Sequence, residues 1–239
     1  MMDLKTRPTR ALKAGDKADG KPVERPILMA GEMVRATLAD RKTQTRRLVK
    51  LVGAECIEER DGGRLWPWSP QLDDWIAGPY EDGMRLWVRE TWSVCLATGD
   101  CAQTIADAKE WHPASPGYSG NHLGEARYAA TDGLPDADAR WFPSIHMPRW
   151  ASRLTLAVTS VRVERLQTIT EEDARAEGVE PYDRVEQSFA GGTCPGETAL
   201  THPHKMAFAI LWDTLYGDKV PWVKNPFVWR VEFWRLERP

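Results

Sequence analysis

The sequence predicts an α+β fold built on a barrel-like β-sheet with short flanking helices. Residues 153–166 give the longest strand pattern, and their apolar positions change parity between Val158 and Val161. Such a change indicates a bulge or tight bend, as barrels need at their corners. Residues 227–236 give a second strand pattern that closes the chain. The helical stretches are short and do not alternate regularly with strands, so a parallel β-α-β arrangement is not favoured.

Composition and charge limit the classes of function. The 239 residues are 42% hydrophobic and 28% charged, and the net charge of −3 argues against a broad electrostatic grip on duplex DNA. No run of 18 apolar residues is present, and the N-terminus lacks the apolar segment of a secretory signal. We therefore expect a cytoplasmic protein without a membrane partner. Of the twelve tryptophans, we expect most to pack loops onto the sheet and one or two to stack on a base.

The N-terminal half is predicted to hold a flexible arm, a helix and a strand. Residues 1–25 are rich in charge and poor in apolar side chains, so we expect a flexible arm, followed by a single domain over residues 26–239. A short strand is expected at residues 26–29, an amphipathic helix at 31–41 and a strand at 84–92. Three stretches rich in Gly, Pro or charge are interpreted as insertions, at about residues 53–83, 97–140 and 181–203.

The C-terminal half is predicted to hold two helices before the closing strand. Thr170 is a good N-cap, acidic residues follow it and Gly178 suits a helix end, so residues 171–177 predict a short capped helix. Residues 204–216 predict an amphipathic helix. Its apolar stripe consists of Phe208, Leu211, Trp212 and Leu215. In the closing strand, one face is expected to hold Phe227, Trp229, Val231 and Phe233, and the other Val228, Arg230, Glu232 and Trp234.

Cysteine and histidine spacing gives no sign of a metal site. The four cysteines are Cys56, Cys95, Cys101 and Cys194. They form no C-x-x-C pair and match no zinc motif, so in a cytoplasmic protein we expect four free thiols. His202 and His204 have no second pair of ligands nearby in the sequence, and we interpret both as loop residues. We therefore expect neither a metal nor a cofactor.

The densest group of polar side chains follows the first predicted helix. Four cations and two hydroxyls occur within seven residues, namely Arg41, Lys42, Thr43, Thr45, Arg46 and Arg47. Each can donate a hydrogen bond to a phosphate oxygen, so the segment suits an anionic ligand. The alternative is a solvated basic turn, because runs of like charge usually remain in water.

Four stretches of the chain resemble the ASCH family of proteins. Residues 38–46 (LADRKTQTR) resemble its signature, a helix that ends in Gly-Arg-Lys-Thr-x-Thr-x-Arg, with Asp40 where the family often has Gly. Three other stretches are similar to family elements in the same order: 83–88 to a Gly-Asp-x-hydrophobic strand, 169–178 to a Leu-Thr-Glu-x-x-Ala-x-x-Glu-Gly helix, and 226–236 to the closing strand. The resemblance spans residues 26–236 and is interrupted by the insertions.

The resemblance implies a fold and a set of site residues. ASCH domains have a PUA-like barrel (the pseudouridine-synthase-and-archaeosine-transglycosylase type) with a cleft beside the signature helix. They are thought to bind RNA or related ligands. One bacterial branch hydrolyses the acetyl amide of acetylated cytidine with a Lys, a Thr and a Glu, and those positions fall on Lys42, Thr45 and Glu177.

These three residue types suit amide hydrolysis. Thr45 is the candidate nucleophile, Lys42 the candidate base if burial lowers its pKa, and Glu177 the group that passes the proton on or orients Lys42. Residues three apart in a strand face opposite sides, so Lys42 and Thr45 can meet only if the chain bends or if Lys42 belongs to the helix end. The structural alternative is a buried Lys42–Glu177 ion pair that ties two helices together.

Five further residues are candidates for ligand binding. They are Trp87, Glu90, Trp92, Trp150 and Arg153. The three tryptophans would offer stacking faces for bases, while the cations of residues 41–47 would meet phosphates. Glu90 lies in the apolar row of a strand and needs a cationic partner, for which Arg85, Arg89 and Arg153 are candidates.

Three classes of function remain open. The first is binding of RNA or of a modified nucleotide or nucleobase. The second is hydrolysis by Lys42, Thr45 and Glu177, either of an acylated cytidine-type amide or, as a ribonuclease, of RNA. Residues 143–153 resemble an uncharacterised subgroup from bacteriophages and prophages. The third class is therefore a phage protein in the cytoplasm of a bacterial host cell that binds a host factor through its Trp-rich insertions.

Overall fold

The computed structural model describes residues 22–49, 56–60, 64–69, 74–75, 78–117, 119–120, 123–132, 140–182 and 202–237. Most of the expected arm (residues 1–25) and of the third expected insertion (residues 181–203) lie outside these residues. The first strand begins at Glu24, two residues before the expected start of order at Pro26.

The fold is mixed α+β. Its strands are β1 (Glu24–Leu28), β2 (Gln44–Leu48), β3 (Cys56–Arg60), β4 (Arg64–Ser69), β5 (Asp74–Trp75), β6 (Arg85–Arg89), β7 (Trp92–Leu96), β8 (Gly124–Tyr128), β9 (Thr155–Arg165) and β10 (Phe227–Leu236). Its helices are α1 (Gly31–Leu38), α2 (Ile105–Trp111), α3 (Glu171–Ala176) and α4 (Pro203–Tyr216). Within the described ranges, none of these helices is long and apolar enough to cross a membrane.

Eight strands form one sheet, whose main path runs β1-β6-β9-β10-β2. Strand β1 is parallel to β6, and the other neighbours on this path are antiparallel. The β3-β4 hairpin joins the sheet where Leu65 pairs with Val163. No backbone ladder connects β1 with β2 in the part of the chain that the structure describes. The Arg47 guanidinium nevertheless links these two end strands by donating to the Leu28 carbonyl at 2.6 Å.

The apolar positions of strand β9 change parity halfway along its length, as its sequence predicts. The register with β10 shifts between Glu232 and Phe233, which pair with Ser160 and Val158. One extra residue of β9 therefore forms a bulge. The apolar residues on both sides of it all face the main core, namely Leu156, Val158, Val161 and Val163.

Strand β10 separates two hydrophobic clusters. Trp229, Val231 and Phe233 face the main core together, so they share one face of the strand as expected from the sequence. Val228 faces the opposite way, into a cluster that α3 and α4 build on the outer side of the sheet. Thr170 caps α3 through a reciprocal capping box, and Gly178 follows it with a positive φ, also as expected.

The predicted strand over residues 84–92 is two strands. Strand β6 ends at Arg89, and β7 begins at Trp92 and pairs with β8 instead of the main sheet. Trp92 and residues of the expected insertion at 97–140 form a separate small core under α2. Strands β3, β4 and β8 were not predicted, because charged residues or Pro67 interrupt their alternation, and β5 was not predicted because it has only two residues.

Cys95 and Cys101 form a disulfide, so the expectation of four free thiols is wrong for this pair. A turn between them brings the two residues into a backbone bridge. Zinc and C-x-x-C spacing rules cannot detect such a pair, because its geometry depends on the turn rather than on the spacing alone.

Candidate functional site

A tight turn after α1 sets the direction of the Lys42 side chain. Asp40 has a left-handed conformation with φ of 54°, which glycine adopts most readily. The N–H groups of Arg41 and Lys42 both donate to the Ala36 carbonyl, at 2.9 and 3.1 Å. Lys42 therefore lies in the turn between α1 and β2, and the alternation of side chains along β2 does not set its direction.

Lys42 and Glu177 form a buried ion pair. The ammonium of Lys42 donates to the Glu177 carboxylate and to the Glu177 carbonyl, both at 2.8 Å. The two side chains are 0% and 3% exposed. Burial lowers the pKa of Lys42 from its usual 10.5, and the nearby Glu177 carboxylate opposes this shift.

Arg46 shares Glu177 with Lys42 and gathers two further carboxylates. Its guanidinium lies 3.1 Å from Glu177, 2.6 Å from Glu164 and 3.2 Å from Asp173, and its side chain is fully buried. The predicted phosphate-binding role of Arg46 is therefore corrected, because its donors are taken by carboxylates inside the protein.

Arg230 and Gln44 complete this group from β10 and β2. Arg230 donates to Asp173 at 2.6 Å and to Gln44 at 2.9 Å, and Gln44 donates to the Asp173 carbonyl at 2.6 Å. We call the whole group the ionic network, and it comprises Lys42, Gln44, Arg46, Glu164, Asp173, Glu177 and Arg230. Four members of the network were not predicted as site residues, namely Gln44, Glu164, Asp173 and Arg230. The available signal was charge at alternate positions on the outer faces of β9 and β10.

Thr45 points away from the ionic network. It pairs with Val231, which faces the main core, whereas its neighbours Gln44 and Arg46 face α3. In the described part of the chain, no hydrogen bond joins the Thr45 hydroxyl to Lys42 or Glu177. The structure thus brings together two members of the predicted trio and leaves Thr45 on the other face of β2.

Gly178 packs closely against Lys42. Its φ is +80°, and a Cβ there would lie 2.7 Å from the Ala36 Cβ and 2.8 Å from the Lys42 Cβ. We expect Gly178→Ala to lower the free energy of unfolding by about 2–5 kcal/mol, because left-handed strain and overpacking add. The matched control is Gly99→Ala, where φ is +99° but no atom lies within 4 Å of the new Cβ, and we expect about 1–2 kcal/mol there. Urea unfolding measures the loss of unfolding free energy in both variants. Equal losses would contradict the close packing of Gly178 against Lys42.

A cavity of about 590 Å³, here cavity A, lies beside the ionic network. Its walls come from α1, from the segment after α3 and from α4. The ionisable side chains that line it are Glu32, Arg35, Arg41, Glu177, Glu180 and Tyr182. Its apolar lining includes Met33, Ile210 and Leu211. This volume is in the usual range for small-molecule sites, and Glu177 belongs both to the lining of the cavity and to the network.

A second cavity of about 590 Å³, here cavity B, shares the lining residues Ala30 and Met33 with cavity A. Among its described lining residues Arg47 is the one cation, and there is no carboxylate. The Arg47 guanidinium donates to the Leu28 carbonyl, and its charge near the Tyr80 phenol favours the ionised form of Tyr80. Burial raises the pKa of Tyr80 above its usual 10.0.

The predicted apolar stripe of α4 is divided between core and cavities. Phe208 and Trp212 are buried against β10 and α3. Leu211 lines cavity A, and Leu215, which is 48% exposed, lines cavity B. An amphipathic stripe usually packs on the protein itself, so these two leucines mark apolar walls that a ligand can cover.

The three tryptophans expected to stack on bases lie elsewhere. Trp92 is 0% exposed and packs edge-on against Trp150, so it has no face for a base and its predicted role is wrong. Trp150 stacks on His112 with ring centroids 4.3 Å apart. Trp87 is partly buried on the sheet surface, where the Arg89 guanidinium lies 5.1 Å from its ring. None of the three lines cavity A or cavity B.

Glu90 pairs with Arg153, one of its three candidate partners. Two hydrogen bonds of 2.9 Å join them, and Glu90 is buried. The Arg153 guanidinium also lies 4.0 Å from the centre of the Tyr128 ring. Both side chains are engaged within the protein and line neither cavity, so their predicted role in ligand binding stays a prediction.

Glu90 also gives a pH dependence with a definite sign. Burial raises its pKa above the usual 4.5, although Arg153 opposes the rise. The folded carboxyl holds its proton more tightly than the unfolded one, so its stabilising contribution is full below pH 4.5 and is lost as pH rises through the folded pKa. Between pH 4.5 and the folded pKa of Glu90, we expect the free energy of unfolding of the wild type to fall relative to that of Glu90→Gln. The fall is at most about 1.4 kcal/mol per pH unit. Urea unfolding of both proteins from about pH 4 to about pH 7 measures this difference, and a constant value would contradict the raised pKa.

The remaining predicted ligand residues are Arg41, Thr43 and Arg47. Arg41 lies at the rim of cavity A and forms an ion pair with Glu180. Thr43 is exposed, and its backbone N–H donates to the Ala176 carbonyl at 2.9 Å. Of these three residues, Arg41 and Arg47 therefore line the cavities and Thr43 does not.

No group of three His, Cys, Asp or Glu side chains is placed to hold a metal ion, as far as the described ranges extend. His204 lies in the first turn of α4, and its Nδ1 is 2.7 Å from Glu171. The interpretation of His204 as a loop residue is therefore wrong. Its side chain links α4 to α3.

In comparisons with known proteins, no family model, no curated protein and no solved structure matches this chain. The ionic network and the two cavities therefore carry the functional inference.

Proposed function

We propose that this protein is a PUA-like module of the ASCH type that binds a nucleotide, with the nucleobase in cavity A. The left-handed φ of Asp40 supports the resemblance, because the ASCH signature has Gly, the residue best suited to this conformation, at that position. The contact between Lys42 and Glu177 supports the resemblance further, because it joins the two stretches 38–46 and 169–178 that resemble family elements. The Arg47 bridge between β1 and β2 supports a barrel-like curvature of the sheet.

The position of Glu177 at the wall of cavity A carries this proposal. Lys42 and Arg46 each donate to one of its two carboxylate oxygens, so the group is fixed before a ligand arrives, and its side chain is 3% exposed. A carboxylate only accepts hydrogen bonds, which suits the exocyclic amine of cytosine, adenine or guanine better than the carbonyls of uracil. Met33 and Leu211 offer apolar contact to the faces of a base.

Calorimetric titration with the 5′-monophosphates of cytidine, adenosine, guanosine and uridine tests the proposal. We expect saturable binding of the amine-bearing nucleotides, with uridine the weakest. Ala207 lines cavity A, so Ala207→Trp should obstruct it and weaken binding by about tenfold or more. Ala209 lies on the same helix and lines neither cavity, so Ala209→Trp is the matched control. Failure of all four nucleotides to bind would refute the proposal, and equal affinities of the two variants would place the ligand elsewhere.

A second candidate function, hydrolysis of an acylated nucleobase amide, is favoured by the lowered pKa of Lys42 beside Glu177. A base with a lowered pKa suits proton abstraction. The orientation of Thr45 towards the main core counts against it as the nucleophile. Thr45→Val keeps the shape of the side chain and removes the hydroxyl. If this is the function, the wild type releases acetate from N4-acetylcytidine and Thr45→Val does not, whereas equal rates exclude Thr45 as the nucleophile.

A further inference from the structure

Arg47 differs from the other cations of its basic run. The other three cations of residues 41–47 each pair with at least one carboxylate of the protein. In the described part of the chain, no carboxylate pairs with Arg47. Its guanidinium has several N–H donors and gives one of them to the Leu28 carbonyl at 2.6 Å. A half-buried guanidinium without a carboxylate partner is suited to bind an anion.

Cavity B presents hydrogen-bond donors to that anion. Arg47 lines the cavity together with four residues that carry hydroxyls, namely Tyr80, Thr91, Ser144 and Tyr216. Its described lining contains no carboxylate. Guanidinium and hydroxyl groups both donate to carboxylate oxygens, so this lining accepts an anion more readily than a cation.

The charge of the lining favours a monoanion. Arg47 is the one cation in the described lining, so a single carboxylate would neutralise it. A phosphate monoester carries about two negative charges at pH 7 and would leave one of them uncompensated beside apolar walls. A guanidinium also matches the planar carboxylate group through paired hydrogen bonds.

The apolar walls of cavity B call for a ligand with an apolar body. Leu28 on β1 is 45% exposed and Leu215 on α4 is 48% exposed, and both line the cavity with Met29 and Met33. The exposed leucine surfaces gain burial when a ligand covers them. A volume of about 590 Å³ is in the usual range for small-molecule ligands.

We propose that cavity B is a binding site for a small organic acid, a monocarboxylate with an aromatic or branched aliphatic body. The carboxylate binds Arg47, and the body covers Leu28 and Leu215. This site goes beyond the nucleotide proposed for cavity A and does not depend on it. The recognising charges are opposite, a guanidinium here and the Glu177 carboxylate in cavity A.

Calorimetric titration with three small molecules tests the ligand class. 3-Phenylpropionate has both parts, 3-phenylpropionamide keeps the shape without the charge, and acetate keeps the carboxylate without the body. We expect saturable binding of 3-phenylpropionate and at least about tenfold weaker binding of the other two, because one lacks the charge-assisted hydrogen bonds and the other the apolar burial. The proposal is overturned if the acid does not bind at millimolar concentration, or if the amide or acetate binds as tightly.

Arg47→Met tests the role of the guanidinium. We expect this variant to lose the preference for the acid over the amide. Arg162→Met is the matched control, since Arg162 is largely exposed and lines neither cavity, and it should keep the preference. A preference that survives in Arg47→Met would overturn the proposal.

A second variant locates the ligand without removing the link between Arg47 and Leu28. Leu215→Glu adds a carboxylate to the wall of cavity B and should weaken binding of the acid at least about tenfold by repulsion. Val223→Glu adds the same charge at a position that is 79% exposed and outside both cavities, and it should bind the acid as the wild type does. Equal affinities of these two variants would place the acid outside cavity B and overturn the proposal.

Discussion

Replacing Arg46 with Met is expected to lower the free energy of unfolding by about 3–5 kcal/mol, the usual loss when one partner is removed from a buried ionic group. Met keeps much of the apolar stem and removes the guanidinium. Glu177 would then depend on Lys42 alone, and Asp173 on Arg230 alone. Two carboxylates would thus remain buried or half-buried with less compensation, which is the cause of the loss.

Arg162→Met is the matched control for this change. Arg162 pairs with Glu164, which is also a partner of Arg46, at 3.2 Å, but its own side chain is largely exposed. An exposed ion pair contributes about 1 kcal/mol or less. Urea unfolding followed by tryptophan fluorescence measures both variants. Equal losses would show that the burial of Arg46 has no special effect, contrary to expectation.

The second large effect is expected at the Lys42–Glu177 pair. Lys42→Met leaves Glu177 with one cation, and Glu177→Leu leaves a buried ammonium without its carboxylate. Each single change is expected to lower the free energy of unfolding by about 3–5 kcal/mol. The double variant removes both charges, so its loss should be clearly smaller than the sum of the single losses.

A double-mutant cycle by urea unfolding measures this coupling. Strictly additive losses would contradict a direct ion pair between Lys42 and Glu177. The expected size of the single losses also affects the test for catalysis. An inactive Lys42 variant would not distinguish lost chemistry from a damaged network, which makes Thr45→Val the more informative change.

Local patterns explain why several elements could be predicted from the sequence. Side chains alternate along a strand, so one extra residue changes the parity of the apolar positions that follow it. The bulge in β9 is therefore visible directly in the sequence. Thr170 and Asp173 form the capping box of α3 within four residues of each other. Such features depend on neighbours in the chain and need no knowledge of the fold.

Features that depend on distant partners could not be predicted. Burial of Glu90 demands a cation, but only the fold selects Arg153 over Arg85 and Arg89. Trp92 looked available for stacking because its covering residues come from the later segment around Trp150. Arg46 belongs to a basic run in sequence, yet its carboxylate partners are more than 100 residues away.

The division of the α4 stripe has a similar cause. Periodicity identifies the apolar face of a helix but does not say whether protein or ligand covers it. Leu211 and Leu215 carry the same pattern as Phe208 and Trp212, yet they line the cavities. The cavities themselves arise where three or more separate segments meet, so no local signal marks them.

Methyl NMR of the methionines tests most directly whether cavity A binds a nucleotide. Met33 lines both cavities, Met29 lines cavity B, and Met84 and Met147 are buried in the two cores away from them. On addition of cytidine 5′-monophosphate we expect the Met33 methyl signal to shift in a saturable way while those of Met84 and Met147 stay fixed. Saturable binding that leaves the Met33 signal unchanged, or no shift of any methionine at millimolar nucleotide, would contradict binding in cavity A.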